Sequence, residues 1–169
     1  MTRPTTNEAA EYYWGYINQI QDDDIVSKLR AQLDEMKSFL DGISDEQSLS
    51  RYAPDKWSIR QVLNHINDGE RVFLHRAFWF ARGFPDAMPS FDQDICVSAA
   101  NANDTPWGKL KEEFANVRLS TLSFFETLPA EAWSKTGIAS GYPFTVNALA
   151  YIIGGHVAHH MNVLSERYL

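Results

Sequence analysis

Residues Tyr151 to Leu169 read YIIGGHVAHHMNVLSERYL, and three of the chain's five histidines fall within five of those positions. Wound as a helix at about 100° per residue, the segment stacks His156 over His160, about 40° apart, on the face that carries Leu149, Ile153, Val163 and Leu164. Both histidines therefore point inward. His159 lies about 60° to the other side of His156, at the edge of the apolar stripe. A helix with such a face must be buried by other helices, and three more segments supply them.

The first runs from Ile25 to Leu40, with Asp22-Asp23-Asp24 at its start and Ile25, Leu29, Leu33, Met36 and Leu40 in steps of three and four. Gly42 sits past its end, where a left-handed residue is commonly needed. The second spans Ser58 to Gly83, with Ser58 as N-cap after the Pro54 turn. The third opens at Thr105-Pro106, read as an N-cap and a first-turn proline, and Pro129 stops it after Leu128. The fourth begins at Thr145 and continues nearly to Leu169. No stretch alternates convincingly with period 2. The expected fold is all-α, a four-helix bundle with long crossover connections, in a single domain over 1–169. An aromatic-rich N-terminal arm (1–24, with EYYWGYINQI) packs over it. A long crossover loop at 84–104 crosses the bundle end or lines a site, and Pro129 to Phe144 forms a second irregular segment.

Composition narrows the function. The 169 residues are 44% hydrophobic and 22% charged, as in a globular protein, with a net charge of -7. An acidic chain lacks the basic face that nucleic acid or an anionic membrane requires. No apolar run approaches a membrane span, and the start, MTRPTTNEAAEYY, lacks the pattern of a secretory signal. The one cysteine, Cys96, cannot form an internal disulfide. A cytoplasmic location is expected.

Histidines at i and i+4 can direct two nitrogens at one metal ion, the spacing of the HExxH zinc proteases. Here position 157 is valine, so no general-base glutamate stands between the ligands and that protease class is disfavoured. The third ligand candidate is His65, in WSIRQVLNHINDGERV, on the face of Val62, Gly69 and Val72. A mid-helix glycine costs about 1 kcal/mol against alanine. Gly69, and Gly154-Gly155 ahead of His156, thus imply a close approach. Asp68 is near enough in sequence to orient His65 through a hydrogen bond; it and Glu70 are otherwise read as solvated helix charges. His75 is read as a surface or interface residue, and Cys96, without a local nucleophile signature, as a small packed thiol.

The chain resembles the DinB-like family of metalloenzymes. The resemblance is carried by YAPDKWSIRQVLNHINDGERV (52–72), FDQD (91–94) with AAN (99–101), and ALAYIIGGHVAHHMNVL (148–164). It implies a four-helix bundle whose metal-ligand positions fall on His65, His156 and His160, the set that helical geometry also selects. It implies one zinc or nickel ion per chain and frequent homodimers, and it leaves His159 a neighbour rather than a ligand. Cys96 departs from the pattern, which places a bulkier residue there.

Three neutral imidazoles leave a divalent ion's charge in place, able to activate water or to hold a small thiol as its thiolate. The expected activity is transfer of a low-molecular-weight thiol to an electrophilic small molecule, or metal-dependent hydrolysis. Transfer is placed first because no general base stands beside the ligands. A non-catalytic metal-binding or stress-response role is the third reading.

Overall fold

The computed structural model describes residues 2–169. Four long helices form the bundle: α2 (Ile25–Asp41), α3 (Ile59–Arg82), α5 (Trp107–Glu126) and α6 (Val146–Arg167). A short α1 (Trp14–Ile17) precedes them, and α4 (Gln93–Ala99) lies between α3 and α5. Both α2 and α3 pack against both α5 and α6, so the order around the bundle is α2, α5, α3, α6. The connection from α2 to α3 and that from α5 to α6 therefore join diagonal partners, whereas α3 and α5 are neighbours. The 84–104 segment makes no diagonal jump. It folds back on α3 through α4, and its length serves the site described below.

The caps explain where the helices begin. Ser58 accepts from Gln61 N while the Gln61 side chain accepts from Ser58 N, a complete capping box at the start of α3. Gly83 closes that helix in the left-handed region at φ 80°. Thr145 accepts from Ala148 N to start α6, and Asp24 accepts from Ser27 N to start α2. Two cap expectations fail. Gly42 is right-handed at φ -74°, because the chain ends α2 in a tightened turn. Pro106 is itself the N-cap of α5, so Thr105 makes no capping bond.

An antiparallel hairpin stands where an irregular segment was expected: β1 (Thr136–Ala139) pairs with β2 (Tyr142–Thr145). Its two-residue turn, Ser140-Gly141, has positive φ at both positions (53° and 82°), the left-handed turn that suits strand twist. The second strand does not alternate: Tyr142 and Pro143 are exposed while Phe144 and Thr145 are both buried, so period 2 gives no signal there.

The core divides into two apolar clusters, one around Phe73, Phe80, Phe125 and Tyr151, the other around Met36, Leu63, Phe114 and Leu164. Between them runs a buried polar layer. The Arg118 guanidinium donates to both Glu70 oxygens at 2.8 Å and to Gln32 Oε1 at 2.9 Å, and Gln32 Nε2 donates to Gly154 O at 2.9 Å. This network ties all four long helices together. It also corrects the reading of Glu70 as a solvated charge: the residue faces α5, where Arg118 neutralises it. Among the described residues, no helix is long and apolar enough to cross a membrane.

Candidate metal centre

His65 projects from α3 and His156 and His160 from α6, and their ring nitrogens meet. His156 Nε2 lies 2.9 Å from His65 Nε2 and 3.1 Å from His160 Nε2. All three candidate ligand atoms fall within 4.8 Å of one another. Two glycines shape the surroundings of the cluster. A Cβ on Gly69 would stand 2.9 Å from His156 Cε1 and 3.3 Å from its Nδ1. A Cβ on Gly155 would overlap the backbone carbonyl of Tyr16, so that glycine admits the N-terminal arm against α6.

The cluster fits a cation better than it fits itself. An imidazole nitrogen either donates one hydrogen bond or accepts one. His156 Nε2 therefore cannot make good bonds to both neighbours, although it is close to both. A cation among the three nitrogens removes the conflict. Nitrogens about 2.0–2.1 Å from zinc, at angles from about 90° to tetrahedral, stand about 2.9–3.4 Å apart, which matches both observed spacings. Burial, and then the neighbouring imidazoles, keep the rings neutral. His65 is pushed down to about 4, His160 to about 3, and His156 well below the ordinary value. Each thus offers a lone pair at neutral pH.

The other sequence-derived candidates fall outside the cluster. His159 stacks edge-on against Tyr16 with ring centroids 5.4 Å apart, and its nitrogens do not join the three. Asp68 does not orient His65. Its carboxylate accepts from Asn64 Nδ2 at 2.8 Å and from Arg71 Nη1 at 3.4 Å, while His65 Nδ1 is buried without a partner. His75 is exposed. Cys96 is half-buried on α4, and burial together with Asp68 and Asp92 pushes its thiol up, away from nucleophile chemistry.

Two cavities flank the histidines. One, about 290 Å³, opens beside His160 and is lined by Tyr52, Lys56, Trp57, Asp94 and Tyr168. The other, about 230 Å³, opens beside His65 and His156 and is lined by Tyr12, Tyr13, Tyr16, Phe73 and Phe91. The start of α4 lies between them, since Gln93 faces the second cavity and Asp94 the first. The tyrosines, Phe91 and Asp94 escaped the sequence reading as site residues. Their signals were the aromatic arm, noted without a site role, and the FDQD motif within the 84–104 segment, which was expected to cross the bundle end or line a site.

A model of the DinB superfamily matches residues 28–164, and the chain belongs to that superfamily. No curated protein matches it. Among solved structures it is similar to YfiT from Bacillus subtilis, described as a probable metal-dependent hydrolase with an unusual four-helix bundle topology. The TM-score is 0.73 at 15% identity, over 96% of this chain and 89% of that one. It is also similar to a mycothiol-dependent maleylpyruvate isomerase, with a TM-score of 0.71 at 11% identity over 86% of this chain. This chain spans 61% of the isomerase's length. At these identities the likeness is one of fold.

Proposed function

We propose that the protein is a divalent-metal-dependent hydrolase acting on a small molecule, with His65, His156 and His160 holding one zinc or nickel ion. The observation that carries this reading is the convergence of three neutral Nε2 atoms between two cavities. Three protein ligands leave positions open, as catalytic sites do. When bound, the cation supplies Lewis acidity that makes water nucleophilic near neutral pH. The bundle holds the rings in place, and aromatic side chains line the cavity on one side of them. Asp94 lines the cavity beside His160, where its carboxylate would accept a proton from water activated by the bound ion. A carboxylate there would serve as the general base whose absence from the ligand helix was the reason for placing thiol transfer ahead of hydrolysis.

Thiol transfer is the second reading, favoured by the fold likeness to a mycothiol-dependent enzyme. Homodimeric assembly in the cytoplasm completes the proposal. The test is a panel of p-nitrophenyl esters and anilides, run beside glutathione with 1-chloro-2,4-dinitrobenzene, on zinc- and nickel-loaded protein. Hydrolysis abolished by chelation and lowered about 100-fold in Asp94→Asn supports the proposal. Metal-dependent conjugation without hydrolysis overturns it in favour of the second reading.

A further inference from the structure

The cavity beside His65 and His156 is built from three distant parts of the chain. Tyr12, Tyr13 and Tyr16 come from the N-terminal arm, Phe73 from α3 and Phe91 from the segment before α4. Its remaining lining is Gly69, Gln93 and the two histidines, so no Asp, Glu, Lys or Arg side chain faces it. At its aromatic end, away from the histidines, a charged group would find no counter-charge, and an uncharged one is accepted without penalty.

The walls are held in place before any ligand arrives. Tyr13 meets the edges of Phe73 and Phe144, with centroids 5.9 and 5.2 Å apart and near-perpendicular planes. Tyr16 stands perpendicular to His156 at 5.2 Å, and its backbone is seated against the bare Cα of Gly155. Phe73 stands edge-on to His156 at 5.8 Å. Because Gly155 cannot accept even a Cβ without overlapping Tyr16, the arm is part of the packed fold here rather than a loose flap.

We propose that this aromatic chamber is the substrate's specificity subsite and takes an uncharged single-ring aromatic group, with the reacting bond placed toward the three histidines. Rings on several sides favour an aromatic guest through edge-to-face contacts. The volume of about 230 Å³ falls below the roughly 300–1,000 Å³ of pockets for drug-sized ligands, so one ring with a short linker is the fitting size. The inference rests on the hydrolase reading for the bond that reacts, but the chamber itself is defined without the metal.

The test compares phenylacetohydroxamate with acetohydroxamate, which carry the same metal-binding group and differ by the ring. On zinc-loaded protein the aromatic probe should bind about tenfold more tightly by calorimetry. The ratio should fall below about threefold in Tyr12→Ala and in Phe91→Ala. Tyr12 is 70% exposed, so its truncation leaves the core intact. In parallel, benzyl alcohol titrated into metal-free protein should shift the ring resonances of Tyr12, Tyr13 and Tyr16 by NMR at millimolar concentration. Equal affinity for the two hydroxamates, or a ratio unchanged in both variants, overturns the chamber while leaving the metal site standing. Failure of both hydroxamates to bind, with benzyl alcohol still shifting the tyrosines, overturns the metal reading and keeps the chamber.

Discussion

Adding one methyl group at position 69 sets helix propensity against the geometry of the histidine cluster. Alanine is favoured over glycine in a helix interior by about 1 kcal/mol. An alanine Cβ here would sit 2.9 Å from His156 Cε1, whereas ordinary carbon contacts begin near 3.5 Å, so the ring must retreat by roughly 0.6 Å. It has little room to do so, since Tyr16 and Phe73 stand edge-on to it at 5.2 and 5.8 Å. Metal ligands tolerate only about 0.2 Å of error. Gly69→Ala should therefore weaken zinc affinity about 10- to 100-fold, the range seen when a ligand's support is disturbed. Metal-free stability should fall by no more than about 2 kcal/mol, because the propensity gain offsets part of an overpacking cost of about 1–3 kcal/mol. Competition with a chromophoric chelator reads the affinity, and thermal melts of metal-free protein read the stability. Unchanged zinc affinity would show that His156 Cε1 does not bear on the bound ion, and the close approach would lose its meaning.

Acid should destabilise the metal-free protein. The unfolded histidines take up protons near pH 6.5, but folded His65 does so only near 4, so stability is lost as pH falls through that window. His65 alone accounts for about 2 kcal/mol at pH 5, a fall in melting temperature of about 4–8 °C from pH 7.5, and equal melts at the two values would contradict its burial. Glu70→Ala should cost about 3–5 kcal/mol in urea unfolding, because it strands the buried Arg118 guanidinium; a loss under 1 kcal/mol would show the network to be solvated. Chelation should abolish activity and leave the helical circular dichroism signal largely intact at pH 7.5, since the apolar clusters do not involve the ion. Wholesale unfolding without metal would make the ion part of the fold.

Three of the four long helices have a start that side-chain chemistry alone reveals, Asp24, Ser58 and Thr145, and the fourth, α5, is bracketed by Pro106 and Pro129. The histidine set was equally accessible, since an i, i+4 pair on an inward face has few partners to choose from, and His65 shares a face with a glycine. What escaped the sequence depends on contacts between distant segments. Glu70 looks like any helix carboxylate until Arg118, 48 residues away, is seen opposite it. Tyr12, Tyr13 and Tyr16 looked like an arm because the histidines and Phe73 that complete their chamber lie elsewhere in the chain. The hairpin was hidden for a different reason, since its second strand buries two adjacent residues, Phe144 and Thr145, and so lacks period 2.

The central claim is that three histidines, and not the fourth beside them, hold one ion. Metal content per chain, measured by elemental analysis after zinc loading and dialysis near pH 7.5, tests it most directly. The parent protein and His159→Ala should retain about one ion per chain. His65→Ala, His156→Ala and His160→Ala should each lose most of it, since two imidazoles hold a divalent ion far less tightly than three. Full occupancy in His156→Ala with loss in His159→Ala, or no ion in the parent protein, would contradict the account.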